Sequence, residues 1–378
     1  MVICDIGKCT GCMACMNICP FGAIKPAESD TYKTIPVVDD NLCRDCGLCK
    51  KICPEANGTL YHASFKCYAA WKKDGADTKN CASAGVAAAF GEYITDNGGV
   101  VFGAGYKDGR VCHISVSDKG SAEALKGSKY VQSDIGFSYR EAKSYLEDGR
   151  CVLFTGTPCQ IAGFRNFLGK DYDNLVTVDL VCHGVPPQRF LQDYLRELNV
   201  MSKECEVRFR GEEDHVFKVS NGDGVVYKEG AVTNVYYRAY YNKILMRDNC
   251  NSCRYATEKN RPADISLGDF WGIDKSTIAP SANGKISLVL LNTKKGKAFF
   301  EKVNLPSQPR EIAEAVCGNA QLKAPCPRGG DTDLFLKHYN LGFTKAVNKT
   351  CVRKNIRQNK RNLMKFKIKE LIKKGLKL

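Results

Sequence analysis

The sequence predicts an α/β fold with an α+β portion, set behind a small cysteine-rich unit at the N-terminus. Three observations predict it. Two cysteine runs, Cys9-x-x-Cys12-x-x-Cys15-x-x-x-Cys19-Pro20 and Cys43-x-x-Cys46-x-x-Cys49-x-x-x-Cys53-Pro54, repeat one spacing near the start of a 378-residue chain. From Ala84 to Leu198 apolar runs of strand length alternate with helical stretches, the signature of a largely parallel sheet covered by helices. Beyond Glu206 the pattern becomes mixed, with Gly-rich turns and short strands.

Taken in order, the cysteine-rich unit occupies 1–62. A linker follows over 63–80, marked by the polar stretch Lys72-Lys-Asp-Gly-Ala-Asp77. Ala84 to Ile94 reads as a helix and Gly99-Val-Val-Phe-Gly-Ala-Gly-Tyr106 as a buried strand. Then come a helix at Tyr139 to Glu147, a strand at Arg150 to Thr155, a helix at Ile161 to Leu168, a strand at Leu175 to Val181 and a helix at Arg189 to Leu198. These belong to the first part of the body, 81–200. Its continuation, 201–345, holds apolar strands at Ala263 to Leu267 and Ile286 to Asn292, and a basic tail covers 346–378.

The cysteine spacing resembles that of two-cluster bacterial ferredoxins. Three cysteines of each run wrap one cube, and the fourth, held before a proline, serves the other. By that resemblance Cys9, Cys12, Cys15 and Cys53 hold one [4Fe-4S] cluster, and Cys43, Cys46, Cys49 and Cys19 hold the second. The small residues Gly11, Ala14 and Gly47 let backbone amides approach the cluster sulfurs. Zinc also takes four thiolates, but its sites show paired C-x-x-C knuckles rather than two runs of four.

Composition narrows the setting. Metal-type cysteine spacing, in a chain whose first residues lack the basic and apolar regions of a signal peptide, points to a reducing cytoplasm. The formal charge of +15 invites a nucleic-acid partner, yet residues 351–378 carry eleven Lys/Arg against one Glu, leaving only +5 for the body. Two or three oxidised clusters, each about −2 with its thiolates, bring the body near neutrality, so no nucleic acid is expected. In the tail Met364, Ile368, Leu371 and Ile372 share a helical face among lysines, although Phe366 breaks it. The expectation is peripheral contact with the inner face of the membrane.

A second set of cysteines lies deeper in the chain. Cys159, in Thr155-Gly-Thr-Pro-Cys-Gln160, and Cys182, in Cys182-His-Gly184, each follow a strand, and loops at the carboxyl ends of parallel strands converge on one crevice. Cys250-x-x-Cys253 supplies a further pair. On spacing alone these four are either a third cluster site or ordinary buried thiols. Four ordered motifs bear on the choice: Gly127-Ser-Lys-Tyr-Val-Gln-Ser133, Val152-Leu-Phe-Thr-Gly-Thr-Pro-Cys-Gln-Ile-Ala-Gly163, Asp179-Leu-Val-Cys-His-Gly-Val185 and Gly268-Asp-Phe-Trp-Gly272. Together they resemble the coenzyme F420 hydrogenase/dehydrogenase beta-subunit family, in its bacterial form with an N-terminal ferredoxin unit. That resemblance implies a mainly parallel-sheet, FAD-binding body and a third cluster on Cys159, Cys182, Cys250 and Cys253.

The resemblance also implies FAD contacts at Ser83, Gly85, Lys129, Tyr130, Ser133, Thr155 and Thr157. One departure is Ala84, where the family has Gly, and its methyl restricts the close approach of backbone to a phosphate. Clusters carry single electrons, deazaflavins and nicotinamides carry hydride, and a flavin handles both. The expected protein is therefore an iron–sulfur flavoprotein oxidoreductase exchanging hydride with a deazaflavin-type coenzyme or another small organic molecule. Relatives of this kind accompany surface-polysaccharide biosynthesis, which suggests a substrate class. A non-catalytic electron-transfer subunit, working with ferredoxin or another redox protein, is the alternative. His183, beside a ligand cysteine, is the acid–base candidate, against the plainer role of bonding the cluster or backbone. Cysteines 4, 67, 81, 112, 151, 205, 317, 326 and 351 match no ligand pattern and read as incidental.

Overall fold

The computed structural model describes residues 2–73, 78–210, 215–279 and 284–375. The central part of the expected linker, 74–77, lies outside the described residues. The cysteine-rich unit consists of α1 (Ala14–Ile18), an antiparallel hairpin of β1 (Ile24–Glu28) and β2 (Thr34–Val38), α2 (Leu48–Lys51) and α3 (Pro54–Asn57). Its two cysteine loops fold alike. Gly11 and Met13 in the first, and Asp45 and Gly47 in the second, have left-handed backbone at matching positions, with φ of +61°, +53°, +51° and +73°. At Gly11 only glycine fits, because a Cβ would stand 2.6 Å from the Thr34 carbonyl oxygen.

The body is built on an eight-stranded sheet. It draws β3 (Lys66–Ala70), β4 (Val100–Lys107), β5 (Arg110–Val116), β6 (Val152–Gly156) and β7 (Leu175–Leu180) from the first half of the chain. The chain then leaves for an excursion in which β8 (Glu206–Arg208), β9 (Val216–Asn221) and β10 (Gly224–Gly230) form a separate antiparallel sheet. It returns as β11 (Ile265–Asp269), β12 (Ser287–Leu291) and β13 (Ser307–Arg310), giving the order β13-β3-β12-β11-β7-β6-β4-β5. The strands β11, β7, β6 and β4 pair in parallel, as the alternating pattern predicts. Antiparallel strands extend this core on both sides, β5 next to β4, and β12, β3 and β13 beyond β11.

Helices cover both faces: α4 (Val86–Asp96), α5 (Ser138–Glu147), α6 (Pro158–Leu168), α7 (Gln188–Glu197), α8 (Val235–Tyr241) and α9 (Lys294–Val303). Side chains alternate along a strand. Val100, Phe102, Val152 and Phe154 therefore pack with α5, α6 and the cysteine-rich unit, while Val101 and Leu153 pack with α4 and α9. A third core joins α7, α8 and the small sheet.

The stretch 63–80, expected as a linker, differs from that expectation. It supplies β3, whose Cys67 and Ala69, with Trp71 just beyond, are buried against Leu288 and Leu290. Five residues between polar flanks carry too short a period to be read as a strand. The C-terminal helix runs from Val352 to Gly375, with Val352 and Ile356 buried and Leu363, Met364, Phe366 and Ile368 exposed. No helix among the described residues is long and apolar enough to cross a membrane.

Candidate functional site

In the cysteine-rich unit, each of the two sets of four thiols expected to share a cluster lines its own pocket. Cys9, Cys12, Cys15 and Cys53 border one. Cys19, Cys43, Cys46 and Cys49 border another. The exchange of fourth cysteines has a local cause in the second run: Pro54 opens α3, leaving Cys53 extended so that its sulfur meets the first loop. Among the described residues no three His, Cys, Asp or Glu side chains group as ligands of a single metal ion. Thiols set around a cavity suit a four-iron cube, so the residues present fit two such clusters.

Cys4, which reads as incidental in the sequence, lines the first cavity as well. It faces Cys53 and Cys9, and this proximity raises its own pKa while lowering theirs. Burial pushes Cys12 up to about 12 and raises Cys15 too. Cys4 stands five residues before its run, outside any C-x-x-C spacing, and only the fold brings it to the cavity.

The structure brings the deeper cysteines together. Cys159 follows Pro158 in the first turn of α6, where Thr157 and Gln160 form a capping box, and the Thr157 hydroxyl lies 3.2 Å from the Cys159 sulfur. Cys182 follows β7, and Cys250 and Cys253 lie on and just after the 3-10 turn Asp248–Ser252. Burial raises Cys182, and Cys250, Cys159 and Cys253 add to the effect. Cys253 is pushed up to about 12 by burial, with Cys159 and Cys250 contributing. Gly184 takes φ +90°, which favours glycine, and a Cβ there would lie 3.0 Å from Met246 Sδ and in ordinary contact, 3.5 Å, with the Cys250 side chain, so the Cys182 loop packs against this turn.

This third set sits against the first. Gly163, one turn of α6 beyond Cys159, faces Cys12 so closely that a Cβ would lie 2.7 Å from the Cys12 sulfur. Arg254, next to Cys253, pairs at 2.6 Å with Glu55, two residues after Cys53. Arg140 of α5 donates to the carbonyls of Asn17, Cys19 and Met16 at 2.6, 2.7 and 3.3 Å. Asn166 of α6 donates to those of Gly58 and Ile52. The cysteine-rich unit is thereby clamped to the two helices that precede and follow β6.

The residues that the resemblance assigns to FAD divide into two groups. Ser133, Thr155, Thr157 and Lys129 are engaged within the protein. Ser133 meets His113 Nδ1 at 2.8 Å, Thr155 donates to the Phe102 carbonyl at 2.9 Å, and Thr157 caps α6. The Lys129 ammonium donates to the carbonyls of Lys126, Leu125 and Ala124, and burial pushes its pKa down to about 7.

Ser83, Gly85 and Tyr130 form the second group. The Ser83 hydroxyl donates to the Ile286 carbonyl at 3.3 Å and accepts from Ser287 at 3.1 Å, Gly85 opens α4 at φ +82°, and Tyr130 stacks on Tyr240 with ring centroids 4.6 Å apart. Around them Arg208 carries a buried Nη1 with no hydrogen-bond partner. Arg208 Nη2 lies 3.8 Å from Glu123, and an anionic group such as a pyrophosphate would fit the orphaned Nη1, whereas the hydroxyls of Ser83, Ser133, Thr155 and Thr157 already have partners within the protein.

His183 is exposed at the carboxyl end of β7. Desolvation lowers its pKa, Asp269 opposes that, and Lys243 and Arg210 reinforce it. Asp269, at the end of β11, pairs with Arg210, and Trp271 beyond it is exposed.

Residues 149–308 match a family model described as the C terminus of the coenzyme F420 hydrogenase/dehydrogenase beta subunit. Residues 8–57 match the 4Fe-4S dicluster domain. No curated protein matches the chain. A chain in a solved structure titled as a xenon derivatisation of the F420-reducing [NiFe] hydrogenase complex from Methanosarcina barkeri is similar at 18% identity and a TM-score of 0.44. The similarity covers 81% of this chain and 93% of that one.

Proposed function

We propose that this chain, whose residues 149–308 match the coenzyme F420 hydrogenase/dehydrogenase beta-subunit model and whose residues 8–57 match a 4Fe-4S dicluster domain, is a member of that family and an iron–sulfur flavoprotein oxidoreductase. The observation that carries this reading is the nesting of three thiol sets. Two line cavities in the cysteine-rich unit, and the third meets the first through one turn of α6 at the end of the parallel strands. On this reading Cys9, Cys12, Cys15 and Cys53 hold the first cluster, Cys19, Cys43, Cys46 and Cys49 the second, and Cys159, Cys182, Cys250 and Cys253 a third.

FAD, when bound, supplies the change from one-electron to hydride chemistry. Ser83, Gly85 and Tyr130 would hold it, with Arg208 toward its phosphates. Lys129, Ser133, Thr155 and Thr157 shape the wall behind. His183, exposed beside Asp269, is the proton-handling residue by position. The two-electron partner is a deazaflavin-type coenzyme or another small organic molecule, with an intermediate of polysaccharide biosynthesis as one class.

A specific observation favours a second reading, an electron-transfer subunit. At the second cavity Cys46 is exposed, and Phe21 and Leu48 on its lining are exposed too, a surface on which a redox protein would exchange electrons. The setting on either reading is the cytoplasm, with the basic C-terminal helix contacting the membrane face.

Anaerobic purification followed by flavin reduction with reduced F420, NADH, NADPH and reduced ferredoxin in parallel separates these. A flavin that co-purifies and is bleached by one hydride donor supports the oxidoreductase. A flavin reduced by ferredoxin alone supports the electron-transfer role, and a chain that neither retains nor takes up flavin overturns the flavoprotein reading.

A further inference from the structure

Arg247 lies three residues before Cys250, and its carbonyl accepts from the Cys250 amide at 2.9 Å. Its side chain is 2% exposed, and none of its three guanidinium nitrogens has a hydrogen-bond partner. No acidic side chain among the described residues pairs with it. A buried guanidinium without partners is strongly unfavourable unless an anion stands beside it. The group lies against the first cysteine loop, where a Cβ on Gly11 would come 3.1 Å from Nη2. Its charge reaches both Cys9 of the first thiol set and Cys159 of the third. Gln132, buried next to it, donates to the Thr10 and Gly11 carbonyls and leaves its own Oε1 without a partner.

We propose that Arg247 is the shared counter-cation of the first and third clusters, its N–H groups serving cluster sulfur, and that it raises the reduction potentials of both. The inference rests on the three-cluster reading above. Reduction takes a cubane with four thiolates from about −2 to about −3, and hydrogen bonds and nearby positive charge favour the reduced form. In a dry interior a guanidinium acts more strongly than in water. The second cluster, on Cys19, Cys43, Cys46 and Cys49, has no contact with Arg247 and serves as an internal reference. Electrons arriving at the outer cluster would thus settle on the inner pair, next to the Tyr130 and His183 region.

The test is a redox titration of the full chain, assembled anaerobically with its clusters and followed by electron paramagnetic resonance. It compares wild type with Arg247→Gln, Arg247→Met and Arg247→Lys. The neutral variants are expected to show a reduced-to-oxidised ratio about tenfold lower at the wild-type midpoints of the two inner clusters, equivalent to about 59 mV for one electron. The outer cluster should hold its midpoint, and Arg247→Lys should stay close to wild type. Loss of inner clusters from the neutral variants, with retention in Arg247→Lys, would equally support a need for the charge. Unchanged inner midpoints, an equal shift of all three, or a lysine variant that behaves like glutamine would overturn the proposal and leave Arg247 a packing residue. A wild-type chain with about eight iron atoms would instead overturn the three-cluster reading, and the first cluster alone would still report on Arg247.

Discussion

His113 is held where protonation is costly. Its Nε2 lies 2.9 Å from the Thr155 carbonyl, its Nδ1 meets Ser133, and its ring stacks on Phe154. Burial pushes its pKa from 6.5 down to about 4, against a smaller opposing effect from the Thr155 carbonyl. Above pH 6.5 the ring is neutral whether the chain is folded or not. Between pH 6.5 and about 4 the unfolded chain binds a proton that the folded chain refuses, so stability falls with pH through that window. The loss is on the order of 3 kcal/mol. The denaturant midpoint of wild type should therefore fall more steeply between about pH 7 and 4.5 than that of His113→Gln, and parallel curves would contradict this account. No motif marked His113, because its role depends on three segments meeting. Arg247 and Cys4 were hidden for the same reason. The eight ferredoxin-type cysteines, by contrast, could be named from spacing, since thiolate ligation fixes residue type at fixed intervals, while the other four candidates followed only from the resemblance that the ordered motifs carry.

Helix α6 joins the two halves of the candidate electron path. A methyl at Gly163 would already collide with Cys12, so Gly163→Val should displace the first cysteine loop at an overpacking cost of about 1–3 kcal/mol. Iron per chain is expected to fall by about four atoms while the circular dichroism of the body persists. Iron retained in full would show that the loop tolerates the contact. Arg140 clamps α1 through three carbonyls, so Arg140→Ala should lose about 2 kcal/mol and release cluster iron at a lower temperature than wild type. Iron release at the wild-type temperature would argue against that clamp. In the C-terminal helix, Val352 and Ile356 are buried against the body, whereas the apolar side chains of Leu363, Met364, Phe366 and Ile368 are exposed. Removing 363–378 should therefore leave folding and iron intact but shift the protein out of the membrane fraction, and unchanged fractionation would contradict membrane contact. At this scale the alternation between 84 and 198 was legible because long buried strands and amphipathic helices repeat it. The strands β3 and β13 were not, being five and four residues long and held in place by their neighbours, β3 by β12 and β13 by β3, rather than by their own pattern.

Across the whole molecule, charge and topology separate two tasks. The basic excess is concentrated in the last 28 residues, where eleven Lys/Arg face one Glu, while the body stays close to neutral once clusters are counted. Just beyond the carboxyl ends of the parallel strands β6 and β7 lie Cys159 and Cys182, β11 ends at Asp269, and the long excursion after β7 returns Cys250 and Cys253 to the same end of the sheet. That convergence joins residues 91 positions apart in sequence, between Cys159 and Cys250. Sequence reasoning reached it only through the order of the motifs, because no spacing rule spans such a distance. The central claim, that these four cysteines hold a third cluster beside the first, is tested most directly by iron content. It would be measured on anaerobically assembled wild type and on a Cys182→Ala/Cys250→Ala double variant. The account predicts about twelve iron atoms per chain in wild type and about eight in the variant. The same content in both, whether about eight or about twelve, would contradict it.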